Sequence, residues 1–291
     1  MGEIAICLKQ SISKADYKKI KELKDICTRK EKLFLKLELD FKLKLPRPQN
    51  MESLKYVNEF FCYAGRTLIG YLGIFNLGGD TGELTGMVHP LYRRKRIFSR
   101  LYHLAFEECR RRNFTKILLV CDNRSSSGLA FIRSVGAVYS FSEYEMRMQG
   151  NVISTENYDI VLRKATDSDA EEIATINYTC FGVIGYLGAM PEEEEKVNRI
   201  TYMITLKSKV IGKIRTEIFG DEGFISGFGI LPGYRGKGYG KQALKATVGI
   251  LSKKGIRNVA LEVDTQNKNA LNLYKSCGFA EESATDYYET R

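Results

Sequence analysis

A glycine-rich turn between an apolar strand and an apolar-periodic helix constrains the fold of this chain more than any other feature. The run begins with Gly229-Ile230-Leu231 and continues as Arg235-Gly236-Lys237-Gly238-Tyr239-Gly240-Lys241. Glycines at 236, 238 and 240 allow successive backbone N–H groups to point into one concavity, and the helix adds the positive end of its dipole. The pattern predicts a pyrophosphate cradle, although such glycines also occur for packing alone.

The sequence downstream of the turn makes this interpretation more specific. Val259 to Asp264 is a predicted strand, and a helix follows it at once with Asn267, Ala270, Tyr274, Gly278 and Phe279 at fixed spacing. Together the two blocks resemble the GCN5-related N-acetyltransferases (GNAT). In that family the Arg-x-x-Gly-x-Gly turn holds the pyrophosphate of acetyl-CoA, and the Asn/Tyr helix flanks the thioester. The resemblance covers Tyr158 to Arg291 well and the first half of the chain less well.

Length and hydropathy limit the class of protein. With 291 residues the chain is long enough for about two domains, each with its own core. No apolar run approaches the ~20 residues that span a bilayer, and the N-terminus lacks the layout of a signal peptide. We therefore expect a soluble, cytoplasmic protein without a membrane partner.

Cysteine and histidine usage argues against a metal centre and a disulfide framework. The seven cysteines include no C-x-x-C pair, and the only two histidines are His89 and His103. We therefore expect no metal, and we interpret the cysteines in apolar patterns as small buried residues.

The net charge of +10 comes entirely from an excess of lysine and arginine in residues 1–150. A basic face can attract a nucleotide, a nucleic acid or an acidic substrate. The same lysines can also be the solvated side of an amphipathic helix, as at Lys18, Lys19, Lys21 and Lys24. Nucleic acid is not the expected partner, and the oligomeric state stays open.

The two halves of the chain are divergent repeats. Tyr92–Phe98 aligns with Tyr234–Gly240 at a shift of 142, whereas Leu8 aligns with Leu162 at a shift of 154. The first copy therefore carries about a dozen extra residues, which we place in Thr28–Gln49. Leucines there keep period two among lysines, and strand and helix both remain possible.

The predicted order in the second copy is a strand, helices, a hairpin through Lys207-Ser208-Lys209, a strand to Leu231, then helix, strand, helix and a final hairpin. This is an α/β fold, an α+β mixed sheet with helices on both faces. The resemblance extends it to two tandem acyl-CoA N-acyltransferase (GNAT) domains, similar in layout to mycothiol synthase. From the polar stretch at Gln149 to Asn157 we predict a degenerate N-terminal domain over 1–150 and a catalytic domain over 151–291.

The resemblance implies roles for the residues of the turn and of the strand before it. Gly229, Ile230 and Leu231 would pair with the pantetheine arm, and Gly227 and Gly229 suit either close backbone approach or a bulge. Arg235 would touch phosphate or pair with a structural carboxylate. Lys237 and Lys241 would neutralise phosphate.

The resemblance also implies an acid and a base. Tyr274 matches the family's tyrosine that protonates the departing thiolate, and Asn267 would cap its helix and contact the CoA arm. In ribosomal-protein alanine acetyltransferases the glutamate matching Glu262 is the base, although a surface carboxylate is an equal interpretation. Glu217 or a water chain are the alternatives.

The first copy departs from the pattern. Arg94, Arg96 and Phe98 replace the glycines of the turn, and Ala130, which we align with Tyr274, is not a tyrosine. Bulky side chains would hinder amide approach to a pyrophosphate. We expect a structural or substrate-shaping domain, with weak CoA binding as the alternative.

These features predict an enzyme that uses acetyl-CoA as cosubstrate and acetylates a primary amine of a small molecule or peptide by direct attack. The alternative is a non-catalytic acyl-CoA-binding sensor or interaction module. The acceptor pocket is expected to involve Phe181–Glu195, whose four consecutive glutamates attract a cationic amine or begin a helix.

Overall fold

The computed structural model describes residues 3–29, 32–44, 56–76, 79–150, 158–183 and 189–290. The first half of the chain forms four helices and six strands among these residues. They are β1 Ile4–Lys9, α1 Lys14–Thr28, α2 Leu39–Lys44, β2 Glu59–Ala64, β3 Thr67–Phe75, β4 Thr81–Val88, α3 Ile97–Arg111, β5 Lys116–Asp122, α4 Ser126–Ser134 and β6 Val138–Met148.

The second half repeats this order. Its elements are β7 Ile160–Lys164, α5 Ala170–Phe181, α6 Pro191–Lys196, β8 Arg199–Leu206, β9 Lys209–Phe219, β10 Glu222–Ile230, α7 Tyr239–Lys253, β11 Asn258–Asp264, α8 Lys268–Ser276 and β12 Phe279–Glu289. The predicted hairpin at Lys207-Ser208 is confirmed, because both residues have positive φ and join β8 to β9. The predicted final hairpin is wrong, since β12 is one uninterrupted strand.

The chain divides into two compact units. Unit 1 contains Met1–Ser142 and Ala284–Arg291, and unit 2 contains Glu143–Ser283. The division therefore falls inside β6 and β12, whereas the sequence suggested a boundary in the polar stretch after Gln149. Residues 151–157 of that stretch lie outside the described part of the chain.

Each unit is a mixed sheet with one parallel pair. In unit 1 the hydrogen-bonded order is β1-β2-β3-β4-β5, with the C-terminal half of β12 beside β5. In unit 2 the C-terminal half of β6 lies beside β11, and the order continues β10-β9-β8-β7. The parallel pairs are β4–β5 and β10–β11, and the other pairs are antiparallel. The mixed-sheet prediction is confirmed.

Helices cover both faces of the sheet in unit 2. On one face, α7 and α8 contribute Leu244, Val248 and Leu271 to a core shared with Ile214 of β9 and Leu261 of β11. On the other face, buried isoleucines of α5 pack against Met203 of β8. Because strand side chains alternate, the residues next to Ile214 and Leu261 lie on the α5 face.

Helix starts follow the signals in the sequence. The Ser13 side chain accepts a hydrogen bond from the Asp16 N–H and begins α1, and Asp16 completes a capping box. Thr166 and Asp169 form the same box before α5. Both starts have a residue type that favours the N-cap, Ser or Thr, with an Asp three residues later.

The extra residues of the first copy are neither a strand nor a long helix where they are described. Residues 33–38 have no regular secondary structure, and α2 is only six residues long. The Phe34 N–H donates to Asp122 at the end of β5, at 2.6 Å. Residues 45–49 lie outside the described part of the chain. Within that part, no helix is long and apolar enough to cross a membrane.

Candidate active site

The site forms where the two parallel strands of unit 2 separate. β10 and β11 pair over only four positions, from Glu222 opposite Asn258 to Ile225 opposite Leu261. Beyond Ile225, β10 continues to Ile230 without further pairing to β11 among the described residues. The backbone edge of β10 is therefore available there to a ligand that hydrogen-bonds along a strand.

A β-bulge lies within this separated part of β10. Its pairing with β9 shifts between Ser226 and Gly229, and Gly227 has a φ of +53°. The matching strand of unit 1, β4, has one residue fewer than β10 between the equivalent paired positions. Its pairing with β3 shows no register shift. One inserted residue therefore creates the bulge in unit 2 only.

The glycine-rich turn follows β10 and leads into α7. Gly236 and Gly238 have φ values of +73° and +83°, and a Cβ added to either would meet no atom within 4 Å. The N–H groups of residues 236–241 donate to no acceptor among the described residues. Six successive amides at a helix N-terminus, with open space above two glycines, fit an anionic pyrophosphate.

Two of the predicted cofactor glycines also serve packing. A Cβ on Gly229 would lie 3.0 Å from the Cβ and Sγ atoms of Cys180 and 3.1 Å from Phe181, so this residue lets α5 approach β10. A Cβ on Gly240 would lie 3.3 Å from Leu273 of α8. The side chains of the other two strand residues pack too, Ile230 toward α7 and α8 and Leu231 toward α5.

Arg235 binds the protein rather than a carboxylate. Its Nε donates to the Ile230 carbonyl oxygen at 2.7 Å, and one Nη lies 3.6 Å from the Cys180 Sγ. In unit 1, Arg93 donates in the same way to Val88, at 3.2 Å. The Cys27 thiol donates to that same Val88 carbonyl. This arginine–carbonyl–cysteine contact holds the end of the strand in both units. Its cysteine was not among the residues predicted for the site.

The remaining residues of the turn are arranged around the free amides. The Lys237 ammonium donates to the Gly233 carbonyl at 3.0 Å and lies over the Tyr234 ring. Lys241 is exposed on the first turn of α7, and Tyr239 is partly buried against the core. Asn267 caps α8 by accepting a hydrogen bond from the Ala270 N–H at 3.1 Å, which confirms its capping role.

Tyr274 packs from α8 against the separated part of β10. It is 8% exposed, and its ring contacts Phe228 of β10 and Phe279 of β12. Burial raises the pKa of Tyr274 to about 12. The phenol therefore stays protonated at neutral pH and can donate a proton but cannot act as a base there.

Glu262 lies on the α5 face of β11, because its neighbours Leu261 and Val263 point into the α7–α8 core. It is half-buried and stands directly opposite Glu145 of β6. Burial raises the pKa of Glu145, although Arg147 contacts that carboxylate at 2.6 Å. Glu262 therefore belongs to an acidic patch on the face opposite α8.

Glu217 is not available as a base. Arg199 binds both of its carboxylate oxygens, at 2.6 Å from Nε and 3.1 Å from Nη2. This ion pair lies on the same strand face as Lys213 and Arg215 of β9. Lys213 is buried, at 2% exposure, beside the β10 bulge. It was not among the residues predicted for the site. Alternation of β9 with Ile214 inward is the only sequence signal for it.

Unit 1 keeps the backbone of the turn without its glycines. Arg94 and Arg96 have φ values of +63° and +58°, close to those of Gly236 and Gly238. Ser125 caps α4 as Asn267 caps α8. Aligning the two caps places Ile132 opposite Tyr274, so the alignment with Ala130 was wrong. Unit 1 therefore has a buried aliphatic residue at the tyrosine position.

A cavity of about 380 Å³ lies in unit 1. It opens between β4 and β5, whose pairing ends at Leu84 and Leu119. Leu33 and Leu35 of the inserted segment line it together with Arg94 and Arg96 of the turn. The first copy thus retains an apolar cleft with cationic side chains at its mouth.

Comparison with known proteins shows the family. The chain belongs to the acetyltransferase (GNAT) family, whose sequence profile matches residues 23–136 and again 170–279. Two matches in one chain confirm the tandem arrangement. Within the described residues, no group of three His, Cys, Asp or Glu side chains is placed to hold a metal ion.

Curated relatives match parts of the chain. The uncharacterized N-acetyltransferase YycN of Bacillus subtilis is 47% identical over 60 residues, which are 21% of this chain and 38% of that protein. The mycothiol acetyltransferase of Renibacterium salmoninarum is 43% identical over 60 residues, 21% of this chain and 18% of the relative. The [ribosomal protein bS18]-alanine N-acetyltransferase of Escherichia coli is 29% identical over 92 residues, 31% of this chain and 62% of the relative. The chain thus spans less than two thirds of each relative.

Solved structures extend the fold similarity to the whole chain. A GCN5-related N-acetyltransferase from Sphaerobacter thermophilus has a TM-score of 0.78 and 17% identity, covering 98% of this chain and 95% of that one. A tandem GNAT protein from the clavulanic acid biosynthesis pathway has a TM-score of 0.64 and 14% identity, covering 99% and 98%. At these identities the similarity shows the fold alone.

Proposed function

We propose that unit 2 transfers the acetyl group of acetyl-CoA to a primary amine of a small molecule or peptide, in the cytoplasm. The observation that carries this proposal is the turn before α7, where the six amides of residues 236–241 donate to no acceptor in the described part of the chain and lie next to the separated strands β10 and β11. Family membership supports acetyl-CoA as the cosubstrate. The names of two relatives, one a mycothiol and one a ribosomal-protein alanine acetyltransferase, support an amine acceptor.

The turn and the strand would hold acetyl-CoA together. The amides from Gly236 to Lys241 would bind the pyrophosphate, and exposed Lys241 would add a positive charge. Gly229, Ile230 and Leu231 would pair through their backbone with the pantetheine arm. Arg235 would contribute by fixing the end of β10 through the Ile230 carbonyl, and its exposed guanidinium is available to a phosphate.

Bound acetyl-CoA would supply an acyl carbon activated by its thioester. The acceptor nitrogen forms a bond to that carbon while the bond from carbon to sulfur breaks. Tyr274 gives its phenolic proton to the departing sulfur; its pKa of about 12 means that the phenol holds this proton at neutral pH. Glu262 takes the proton that the acceptor nitrogen loses, directly or through water; it is half-buried and follows Leu261, where the pairing of β10 with β11 ends.

Unit 1 would not catalyse this reaction. It has no bulge in β4, and Ile132 stands where unit 2 has Tyr274. The cavity of about 380 Å³ favours a second role, binding of an acyl-CoA or a related anionic ligand without turnover. A chain that only senses acyl-CoA would release no thiol when an amine is added, and this distinguishes the two functions.

The decisive experiment is a calorimetric titration of acetyl-CoA into the wild type and into Gly238→Arg. This substitution copies Arg96 of unit 1, so the backbone conformation is one that arginine adopts in this chain. We expect the unit 2 site to be weakened at least tenfold in the variant, because a side chain enters the space above the amides, whereas binding in the unit 1 cavity would stay unchanged. A variant in which no site is weakened, or no binding to the wild type, would contradict the proposal.

A further inference from the structure

A buried lysine lies beside the proposed acyl site of unit 2. Lys213 of β9 is 2% exposed. Its ammonium nitrogen lies 3.0 Å from the position that a Cβ on Gly227 would take, within the bulge of β10. The Phe181 ring covers it at 5.5 Å from the ring centroid, and that ring is itself 44% exposed. This partly exposed ring is therefore one wall of the Lys213 site.

The charges around Lys213 do not balance within the described residues. Arg215 on the same strand repels it, and no carboxylate there lies within ion-pair distance of it. Glu194 of α6 is shared by Arg199 and Arg215, at 3.6 and 3.7 Å. Burial and Arg215 lower the pKa of Lys213 to about 8, against a weaker attraction from Glu194 and the Cys180 thiol. An ammonium in this position gains from an added anion.

The repeat in unit 1 shows that the fold does not require a lysine here. The β3–β4 and β9–β10 registers place Tyr71 at the position of Lys213. Tyr71 donates to the Glu59 carboxylate at 2.5 Å, and Lys42 binds the same carboxylate at 3.1 Å. The buried polar group of unit 1 therefore has partners of its own, whereas Lys213 faces the β10 bulge.

We infer that Lys213 binds a carboxylate of the acceptor, so that the amine substrate of unit 2 is an amino acid or a molecule carrying a carboxylate close to its amine. This inference rests on the proposed acetyltransferase function of unit 2. It specifies that the acceptor carries a carboxylate near its amine and does not specify the side chain of that molecule.

The carboxylate of such an acceptor would lie beside the bulge of β10. Strands β9 and β11 flank β10, and Lys213 and Glu262 lie on the same face of the sheet. An α-amino acid has its amine within a few ångströms of its carboxylate. With the carboxylate on Lys213, the amine of such a molecule lies next to the bulge at Gly227.

The experiment compares amino acids with their uncharged amides. L-Alanine, L-leucine and L-phenylalanine are each paired with the corresponding amide, and thiol release from acetyl-CoA gives kcat/KM for each. We expect the wild type to prefer the acid at pH 7. In Lys213→Met the ratio of acid to amide should fall about 30-fold or more, because a buried charge pair is lost. Lys213→Arg should keep part of the preference.

The pH dependence supplies a readout that a merely structural lysine would not move. The charged and titratable groups that face Lys213 are Arg215, Glu194 and the partly buried thiol of Cys180. Above about pH 8 the free enzyme loses the lysine proton, so kcat/KM for the acids should fall relative to that for the amides. Lys213→Met should abolish this relative decrease.

Controls separate this inference from the proposed function. Lys209→Met removes an exposed lysine of the same strand and should leave the ratio unchanged. A wild type that prefers the amides, or a Lys213→Met variant with an unchanged ratio, overturns the inference while amine-dependent thiol release preserves the proposed function. If none of the acids causes thiol release, the inference is overturned, and the acetyl-CoA titration then decides the proposed function by itself. The wild-type comparison decides even if the variant does not fold.

Discussion

Tyr274 is the residue on which the proposed proton transfer depends. Replacing it with phenylalanine removes one hydroxyl from a buried ring and leaves the contacts with Phe228 and Phe279 in place. We expect kcat for acetyl transfer to fall about 100-fold, while the Kd of acetyl-CoA stays nearly constant. Steady-state kinetics and calorimetry on the same preparation measure both quantities.

Tyr178→Phe is the matched control, because Tyr178 is 64% exposed on α5 and takes no part in the site. Its kinetics should equal those of the wild type. An unchanged kcat in Tyr274→Phe would remove this residue from the acid role and leave it as a core residue.

The backbone conformation of Arg96 predicts strain in the turn of unit 1. Its φ of +58° is unfavourable for a side chain with a Cβ and free of cost for glycine. Arg96→Gly should therefore raise the free energy of unfolding by about 1 kcal/mol. Lys95→Gly, at a neighbouring position with negative φ, should lower it by about 0.5–1 kcal/mol. Denaturant unfolding monitored in unit 1 gives both values, and equal signs would contradict the strain argument.

At the scale of elements, the bulge of β10 and the end of α5 form one packed feature. Gly229→Ala would place a Cβ 3.0 Å from Cys180 and 3.1 Å from Phe181. We expect a loss of about 1–3 kcal/mol in stability, since the end of α5 must move away from the strand. Thermal unfolding measures the change.

Gly233→Ala is the control for this prediction. Gly233 lies in the same connection, without positive φ, and a Cβ there would meet no atom within 4 Å. It should leave the melting temperature within about one degree of the wild type. Equal effects of the two substitutions would show that Gly229 does not serve packing.

Elements with local signals were predictable from the sequence, and the bulge was not. The caps at Ser13, Thr166 and Asn267 follow from residue type and spacing, because a side chain there reaches an amide a few residues away. The bulge at Ser226–Gly229 requires counting residues between hydrogen-bonded partners on another strand. The glycines at 227 and 229 were also consistent with a backbone that a ligand approaches closely, so they did not identify the bulge.

At the scale of the whole molecule, the C-terminal half of β12 belongs to unit 1. Tyr287 is 1% exposed and stacks on Phe141 at 4.3 Å between ring centroids. Tyr287→Ala should therefore destabilise unit 1 by about 3 kcal/mol or more. In hydrogen exchange, β5 amides at Leu118–Val120 should lose protection while β11 amides keep it.

Val161→Ala, at a 62% exposed position of unit 2, is the control and should change neither set of amides. Loss of protection in β11 rather than β5 would mean that the C-terminal strand stabilises the half of the chain in which it is encoded. Domain limits drawn at residue 150 would then describe the folding units better than the division observed here.

The amino-acid sequence alone determined the family, the mixed-sheet fold, the tandem repeat and the turn that precedes α7. These depend on residue type at short spacing, where glycine conformation and helix capping act within a few residues. The tertiary structure decided which charged side chains are buried and which already have an ion-pair partner. Only three-dimensional contacts show that Arg199 binds Glu217 and that Lys213 lies buried beside Gly227 without a carboxylate among the described residues. Burial and ion pairing depend on chain segments far apart in sequence, so no local pattern encodes them.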